Sequence, residues 1–238
     1  MAVIRILHTN DLHGKLTSDR VPFLQDSRHG CDLYFDSGDC VKSGNLSIPA
    51  AAESVWPLLC ELDCTASVPG NRESHPLMVG WQAKVSGAQH PLVCANMFHK
   101  NGERVLPASI CVHANGLKIG IVGAMVPMVT EKMASRHVSQ IVWKDAIQSA
   151  VSEADQLQSE VDMLIALTHI GYRQDIELAM TNRFDLILGG HSHTVLEKPE
   201  RHGRAWIAQG GSHARYAGVY EWEGVEVSGG LIRWEVDA

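Results

Sequence analysis

Two histidines one residue apart close the segment Gly189-Gly190-His191-Ser192-His193. Imidazole nitrogens bind borderline transition metals well, so a His-x-His pair at a turn offers half of a metal site; its ordinary alternative is a polar turn. The residues ahead of the pair bear on the choice. Phe184-Asp185-Leu186-Ile187-Leu188 is short, apolar and β-prone, which predicts a buried strand that delivers both rings at its end. With no side chains on Gly189 and Gly190, the backbone can curl and aim the rings at neighbouring centres.

Further ligand types stand at the ends of other predicted strands. Ala2 to Leu7 reads as a first strand, and Asn10-Asp11-Leu12-His13-Gly14 follows it. An Asp-x-His offers one oxygen and one nitrogen, a set that suits Mn²⁺, Zn²⁺ or Fe²⁺ better than Ca²⁺. Cys31 to Asp36 predicts a second strand that runs into Ser37-Gly38-Asp39, and Cys64 to Val68 a third that runs into Pro69-Gly70-Asn71-Arg72-Glu73-Ser74-His75. Asp162 to Leu167 opens onto Thr168-His169-Ile170-Gly171. Singly, an Asp after a strand is a common turn former or helix cap. Together, Asp11, His13, Asp39, Asn71, His169, His191 and His193 occupy five predicted strand exits, where α/β sheets place their sites. One metal seldom takes more than about four protein ligands, so the set predicts two metals that share a bridging carboxylate.

The elements that must position these residues alternate. Helices are expected over Ser18 to Arg28, Ile48 to Leu62, Leu77 to Val85 and Lys144 to Glu160, the last with an apolar stripe at Ile147, Val151, Ala154 and Leu157. A strand is expected at Leu92 to Asn96, and a hairpin with arms Ser109 to His113 and Leu117 to Val122 around Asn115-Gly116. The end of the chain reads as strands only, near Ala205 to Gln209, Tyr216 to Trp222 and Leu231 to Val236. With 238 residues, 45% of them hydrophobic, the expectation is one α/β domain spanning 1–238. The net charge of −7 argues against non-specific binding to nucleic acid or to an anionic membrane. Six scattered cysteines without a Cys-x-x-Cys pair fit free thiols in a reducing compartment, and Met1 to Leu7 is too short an apolar start for a signal peptide. The expected location is cytoplasmic.

The segments Thr9-Asn10-Asp11-Leu12-His13-Gly14, Gly38-Asp39, Gly70-Asn71-Arg72-Glu73, Thr168-His169 and Gly189 to His193 span nearly the whole chain. In type and order they resemble the motifs of the calcineurin-like metallophosphoesterases and, within these, the catalytic domain of the 5′-nucleotidase family. The resemblance implies a four-layer α-β-β-α sandwich of two mixed β-sheets with a dinuclear metal site at strand ends. It implies Asp11, His13, Asp39 and His193 around one metal and Asp39, Asn71, His169 and His191 around the other, with Asp39 as the bridge. The nitrogen and oxygen set admits Mn, Zn, Fe or Co. Two such cations about 3.5–4 Å apart would lower the pKa of a shared water, clamp a phosphoryl oxygen and set hydroxide in line with the scissile P–O bond.

Two departures stand out. Where the family usually has Gly-Asn-His-Glu, this chain carries Arg72 in the histidine's place, and His75 stands where 5′-nucleotidases have the Asp that pairs with that histidine. A guanidinium can bind phosphate bidentately but, with a pKa above about 12, it cannot donate a proton. His75 is the candidate donor, with a loop residue of no role as its alternative. The chain also stops at Ala238, without the further domain whose aromatic residues sandwich the nucleobase in 5′-nucleotidases, so a small phosphorylated substrate is expected, chosen by loops, an oligomer partner or a separate chain. The alternative to an active hydrolase is a degenerate member that binds metal and a phosphorylated ligand without turnover. Asp36 is read either as orienting a ligand or as a turn former. The remaining histidines stay outside the expected site; of these, His213 alone stands where it could reach the pocket.

Overall fold

The apolar start of the chain forms strand β1 (Val3–Thr9), and the computed structural model, which describes residues 2–234, continues with α1 (Val21–His29), β2 (Leu33–Asp36), α2 (Val55–Glu61), β3 (Ala66–Ser67) and α3 (Met78–Val85). There follow β4 (Met97–His99), the hairpin β5 (Ser109–Ala114) and β6 (Leu117–Met125), β7 (Ile141–Trp143), α4 (Ala146–Leu157), β8 (Met163–His169), α5 (Tyr172–Ala179) and β9 (Leu186–Leu188). Strands β10 (Glu200–His202), β11 (Ala205–Ala208), β12 (Tyr216–Glu223) and β13 (Glu226–Arg233) complete the chain.

Two mixed sheets result. One has the order β13-β12-β1-β2-β3, with β1, β2 and β3 parallel and the other two antiparallel. The other has the order β10-β11-β9-β8-β6-β5, with β6, β8, β9 and β11 parallel and antiparallel edges. Strands β4 and β7 form a separate two-stranded ribbon.

Side-chain alternation sets the layering. All seven residues of β8 are buried, as a strand covered on both faces requires. Met163, Ile165 and Leu167 join the core cluster that contains Ile4, Ile6 and Phe35 of the first sheet, together with Val21 and Leu24 of α1 and Trp56 and Leu59 of α2. Leu164 and Ala166, between them in sequence, join a second cluster with Ala146, Ala150 and Ala154 of α4 and Leu178 of α5. Strand β6 divides the same way, Ile119 and Ile121 to the first cluster and Val122 and Ala124 to the second. The order is therefore helices, sheet, sheet, helices, the four-layer sandwich that the resemblance implies.

Three stretches differ from expectation. The helix expected from Ile48 starts only at Val55, because the buried Glu53 turns back to accept hydrogen bonds from the main chain of Lys42 (3.0 Å) and Ser43 (3.1 Å), which holds the residues before it in a loop. Leu92 to Asn96 is not a strand of either sheet. Val93 N donates to Ser67 O in the first sheet (3.0 Å), whereas Ala95 N donates to Gly123 O in the second (2.8 Å), so the segment crosses between them. The last strand begins at Glu226, earlier than Leu231, and residues 235 and 236 of the expected strand lie outside the described residues. The hairpin forms as expected, with Asn115 and Gly116 both at positive φ (49° and 82°) as a type I′ turn needs. No helix among the described residues is long and apolar enough to cross a membrane.

Ile165 lies fully buried between the two sheets. Ile165→Ala is expected to cost about 2–5 kcal/mol in urea unfolding, whereas Val225→Ala, on the surface, should change stability by less than about 0.5 kcal/mol.

Candidate metal centre

Parallel strands present their C-terminal ends at one edge of a sheet, so β1, β2 and β3 deliver three exit loops side by side, and β8 and β9 deliver two more from the facing sheet. Main-chain bonds join the first two loops: Asp11 N donates to Gly38 O (2.9 Å), His13 N to Asp39 O (2.8 Å) and Gly14 N to Cys40 O (2.8 Å). The buried carboxylate of Glu73 ties in the third, accepting from Asp39 N (2.8 Å), Gly70 N (2.7 Å) and Val41 N (3.0 Å). His191 N donates to Asp11 Oδ2 (2.9 Å) and so links the two sheets. Gly70 is required by this crowding, since a Cβ there would overlap Asp39 Oδ1 and lie 2.8 Å from His169 Cε1.

The backbone at the centre is strained. Asp11, His13, Asp39, His191 and His193 all have φ between 50° and 78°, the left-handed region that costs a non-glycine residue roughly 1–2 kcal/mol. Such conformations persist where surrounding contacts over-determine them, and here they turn the side chains inward.

All seven expected ligands come together. Asp39 lies between two groups, with Oδ2 3.7 Å from His13 Nε2 and Oδ1 3.5 Å from His169 Nε2. On the first side Asp11 Oδ1 lies 3.2 Å from His193 Nε2 and 3.5 Å from His13 Nε2. On the second, Asn71 Oδ1 lies 3.2 Å from His169 Nε2 and 2.9 Å from His191 Nδ1. Asn71 Nδ2 donates to Asn45 Oδ1 (3.0 Å), which leaves its oxygen as the atom turned to the imidazoles. Ligand atoms of Asp11, His13 and His193, and likewise of Asp11, Asp39 and His169, lie within 4.8 Å of one another, close enough to hold a metal ion.

The donor set fits a divalent cation. His169 Nδ1 donates to Ser37 O (2.7 Å), which turns the Nε2 lone pair toward two oxygens, those of Asn71 and Asp39. Only a proton or a metal can sit among three acceptors. Burial pushes Asp39 above the usual carboxylate range, an effect that the neighbouring His169 opposes. Burial acts on Asp11 in the same sense, but the hydrogen bond from His13 and the charge of His169 outweigh it and hold Asp11 down at about 2. For His169 burial works downward, and the Asp39 and Asp11 carboxylates together raise it above its ordinary value. His191 is lowered to about 4 by burial and then by His169, which leaves its lone pair free for coordination.

The two candidates for contact with substrate have different settings. Arg72 meets the centre through its main chain, whose N donates to Asp39 Oδ1 (2.7 Å), while its guanidinium Nη1 donates to Lys42 O (3.1 Å) at the rim. His75 is buried at the start of α3, where Nδ1 accepts from Leu77 N (3.0 Å) and the ring covers Gly80. None of its hydrogen bonds among the described residues reaches the seven ligands. Asp36 is a turn former: it accepts from Thr9 Oγ1 (2.7 Å) and Gly38 N (3.1 Å), and burial pushes it up to about 8. Sequence reasoning gave no role to Glu73 or to the buried Lys84, whose Nζ donates to Gly44 O (2.7 Å), Asn45 O (3.1 Å) and Arg72 O. It also left His213 outside, and the structure stacks that ring on His13 at 4.6 Å.

Residues 4–195 match the family described as calcineurin-like phosphoesterase, and the chain belongs to that family. It is 27% identical to the metallophosphoesterase YunD of Bacillus subtilis (strain 168) over 92% of this chain and 49% of YunD. It is 25% identical to a 5′-nucleotidase of Vibrio cholerae serotype O1 over 79% of this chain and 40% of that protein, so it spans about half the length or less of these relatives. The crystal structure of the calcineurin-like phosphoesterase YfkN from Bacillus subtilis superposes with a TM-score of 0.80 over 98% of this chain and 91% of that one, at 19% identity.

Asp39→Asn removes the charge and turns one of the two bridging oxygens into an amide nitrogen that cannot ligate, and is expected to lose most bound metal by elemental mass spectrometry; full retention would exclude Asp39 as a bridge. In the metal-free protein the Asp39 and Asp11 carboxylates hold a proton on His169 to higher pH than an ordinary imidazole keeps one, so a metal must compete with that proton. Metal affinity measured by calorimetry should therefore rise with pH, and still be rising above the pKa of an ordinary imidazole; a flat profile would contradict this.

Proposed function

We propose that the chain hydrolyses phosphate esters, nucleotides among them, with two divalent metals held by Asp11, His13, Asp39 and His193 and by Asp39, Asn71, His169 and His191. The observation that carries the reading is the position of Asp39, whose two oxygens face imidazoles of different groups at 3.7 and 3.5 Å, the geometry of a shared carboxylate. Metals bound there would supply Lewis acidity toward the phosphoryl group and activate water. The mixed nitrogen and oxygen set suits Mn, Zn, Fe or Co. Nucleotide substrates are supported by the Vibrio cholerae relative named a 5′-nucleotidase and by the Bacillus subtilis protein YfkN, named a trifunctional nucleotide phosphoesterase, which is 38% identical over 38% of this chain. A cytoplasmic location is supported by the cysteines, all free, four of them buried.

In this reading the protein's own residues orient and neutralise. Ser37 O fixes the tautomer of His169, Asn45 fixes the amide of Asn71, and Arg72 stands at the rim with its guanidinium tethered to Lys42 O. A guanidinium offsets charge that develops on the phosphoryl oxygens and donates no proton, so good leaving groups are favoured. The second reading, binding without turnover, draws on the local hydrogen bonds of His75, which engage Leu77 rather than the centre. Reconstitution with each metal, followed by turnover of an aryl phosphate and an aryl phosphodiester, separates the two: metal uptake without hydrolysis of either ester would favour the second.

Arg72→Ala is expected to lower turnover about 10²–10³-fold, the scale of one preorganised charge partner, with metal content intact. Aryl esters should outrun alkyl phosphates in the unaltered enzyme. A neutral Arg72→Ala would remove the electrostatic role.

A further inference from the structure

His13, His193 and a third imidazole, His213, form a mutually packed set. The ring of His213 stacks on His13 with centroids 4.6 Å apart and planes 29° from parallel, and meets His193 edge-on at 5.9 Å. It joins neither of the groupings whose ligand atoms converge closely enough for a metal. The chain nevertheless holds it in place at some cost. His213 and Ala214 both adopt the left-handed region, with φ of 60° and 52°. Three bonds tie this loop to the first exit loop: His213 N donates to Asp11 O (2.7 Å), Gly210 N to Asn10 Oδ1 (2.8 Å) and Asn10 Nδ2 to Gly211 O (2.8 Å). Strain of this kind is sustained at sites where a side chain has work beyond packing.

The hydrogen bonding of the ring defines what it offers. Ser212 Oγ lies 2.8 Å from Nδ1, and with the hydroxyl as donor the proton of the neutral ring sits on Nε2. Among the described residues no hydrogen bond engages that N–H. The ring is half-buried, so the N–H stands beside the centre and remains reachable by a ligand. Inside a group of acceptors it is a donor, and a tetrahedral oxyanion bound beside a metal held by Asp11, His13 and His193 would have oxygens to spare for it.

We propose that His213 is a substrate-contacting residue that donates Nε2–H to a phosphoryl oxygen of the bound ester, on the His13 and His193 side of the centre. The inference rests on the phosphoesterase reading above and assigns part of its phosphate recognition.

The test uses the full chain loaded with metal and inorganic phosphate as the probe, in equilibrium dialysis with radiolabelled phosphate. His213→Phe keeps the stack on His13 and removes the donor; His213→Asn suits a left-handed position and keeps an N–H. Metal content by elemental mass spectrometry and the thermal midpoint are read on each variant. The expected result is that His213→Phe keeps its metal while phosphate affinity falls roughly 10- to 100-fold, the scale of losing a hydrogen bond to a charged group, and that His213→Asn falls less. Unchanged phosphate affinity in His213→Phe, or in His213→Asn a loss as large as in His213→Phe, overturns the inference. So does a loss of metal in either variant, which would make the ring a support for His13. Unaltered protein that takes up metal but no phosphate overturns it as well and leaves the metal assignment standing. Unaltered protein that takes up no metal overturns the reading beneath it.

Discussion

The centre depends on one carboxylate that touches no candidate metal position. Glu73 accepts three main-chain N–H groups, from Asp39, Gly70 and Val41, and so fixes the exits of β2 and β3 against each other. Charge-assisted bonds of this kind are about twice as strong as neutral ones, and here they act on the loops that carry Asp39 and Asn71. The close packing of Gly70 against Asp39 and His169 follows from the clamp. So does the position of Arg72, whose main-chain N is left facing Asp39 Oδ1.

Around this clamp the protein assembles groups that repel in isolation. Two buried carboxylates, an amide oxygen and four imidazoles converge from two sheets, and five of the ligand residues hold left-handed backbone. Hydrophobic contact between the sheets must offset the strain and the desolvation, which accounts for the dense apolar cluster beneath the site, Ile4, Ile6, Ile165 and Leu167 among its members. A bound cation would relieve both the charge and the competition among acceptors. Metal binding there would therefore be linked to fold stability.

The parallel strands and the converging residues at their exits were legible because each exit couples an apolar run to a polar residue of unusual type. Asp11, Asp39, Asn71, His169 and His191 each follow such a run, and the sheets bring those ends together by topology alone. What local pattern could not carry depends on partners distant in sequence. The loop before α2 exists because Glu53 reaches back to Lys42 and Ser43. The segment after Leu92 belongs to neither sheet because its amides pass from Ser67 O in the first, through Pro107 O, to Gly123 O in the second. His75 is singled out by its place in the family motif, where 5′-nucleotidases carry an Asp, and its Nδ1 accepts from Leu77 N just before α3, a local bond that the motif does not encode. His213, the one further histidine the sequence sets within reach of the pocket, has only a glycine-rich turn to introduce it, and the bond to Asp11 O that recruits it joins opposite ends of the chain.

The link from His191 N to Asp11 Oδ2 spans 180 residues, and each grouping able to hold a metal combines Asp11 with a histidine from the far half of the chain. A polypeptide emerging from the ribosome up to β7 would present Asp11, His13, Asp39 and Asn71 but none of His169, His191 and His193. Neither grouping can close on such a nascent chain, whatever metal is at hand. Any loading would thereby be deferred at least until β8 and β9 have been synthesised and their exits have met that of β1.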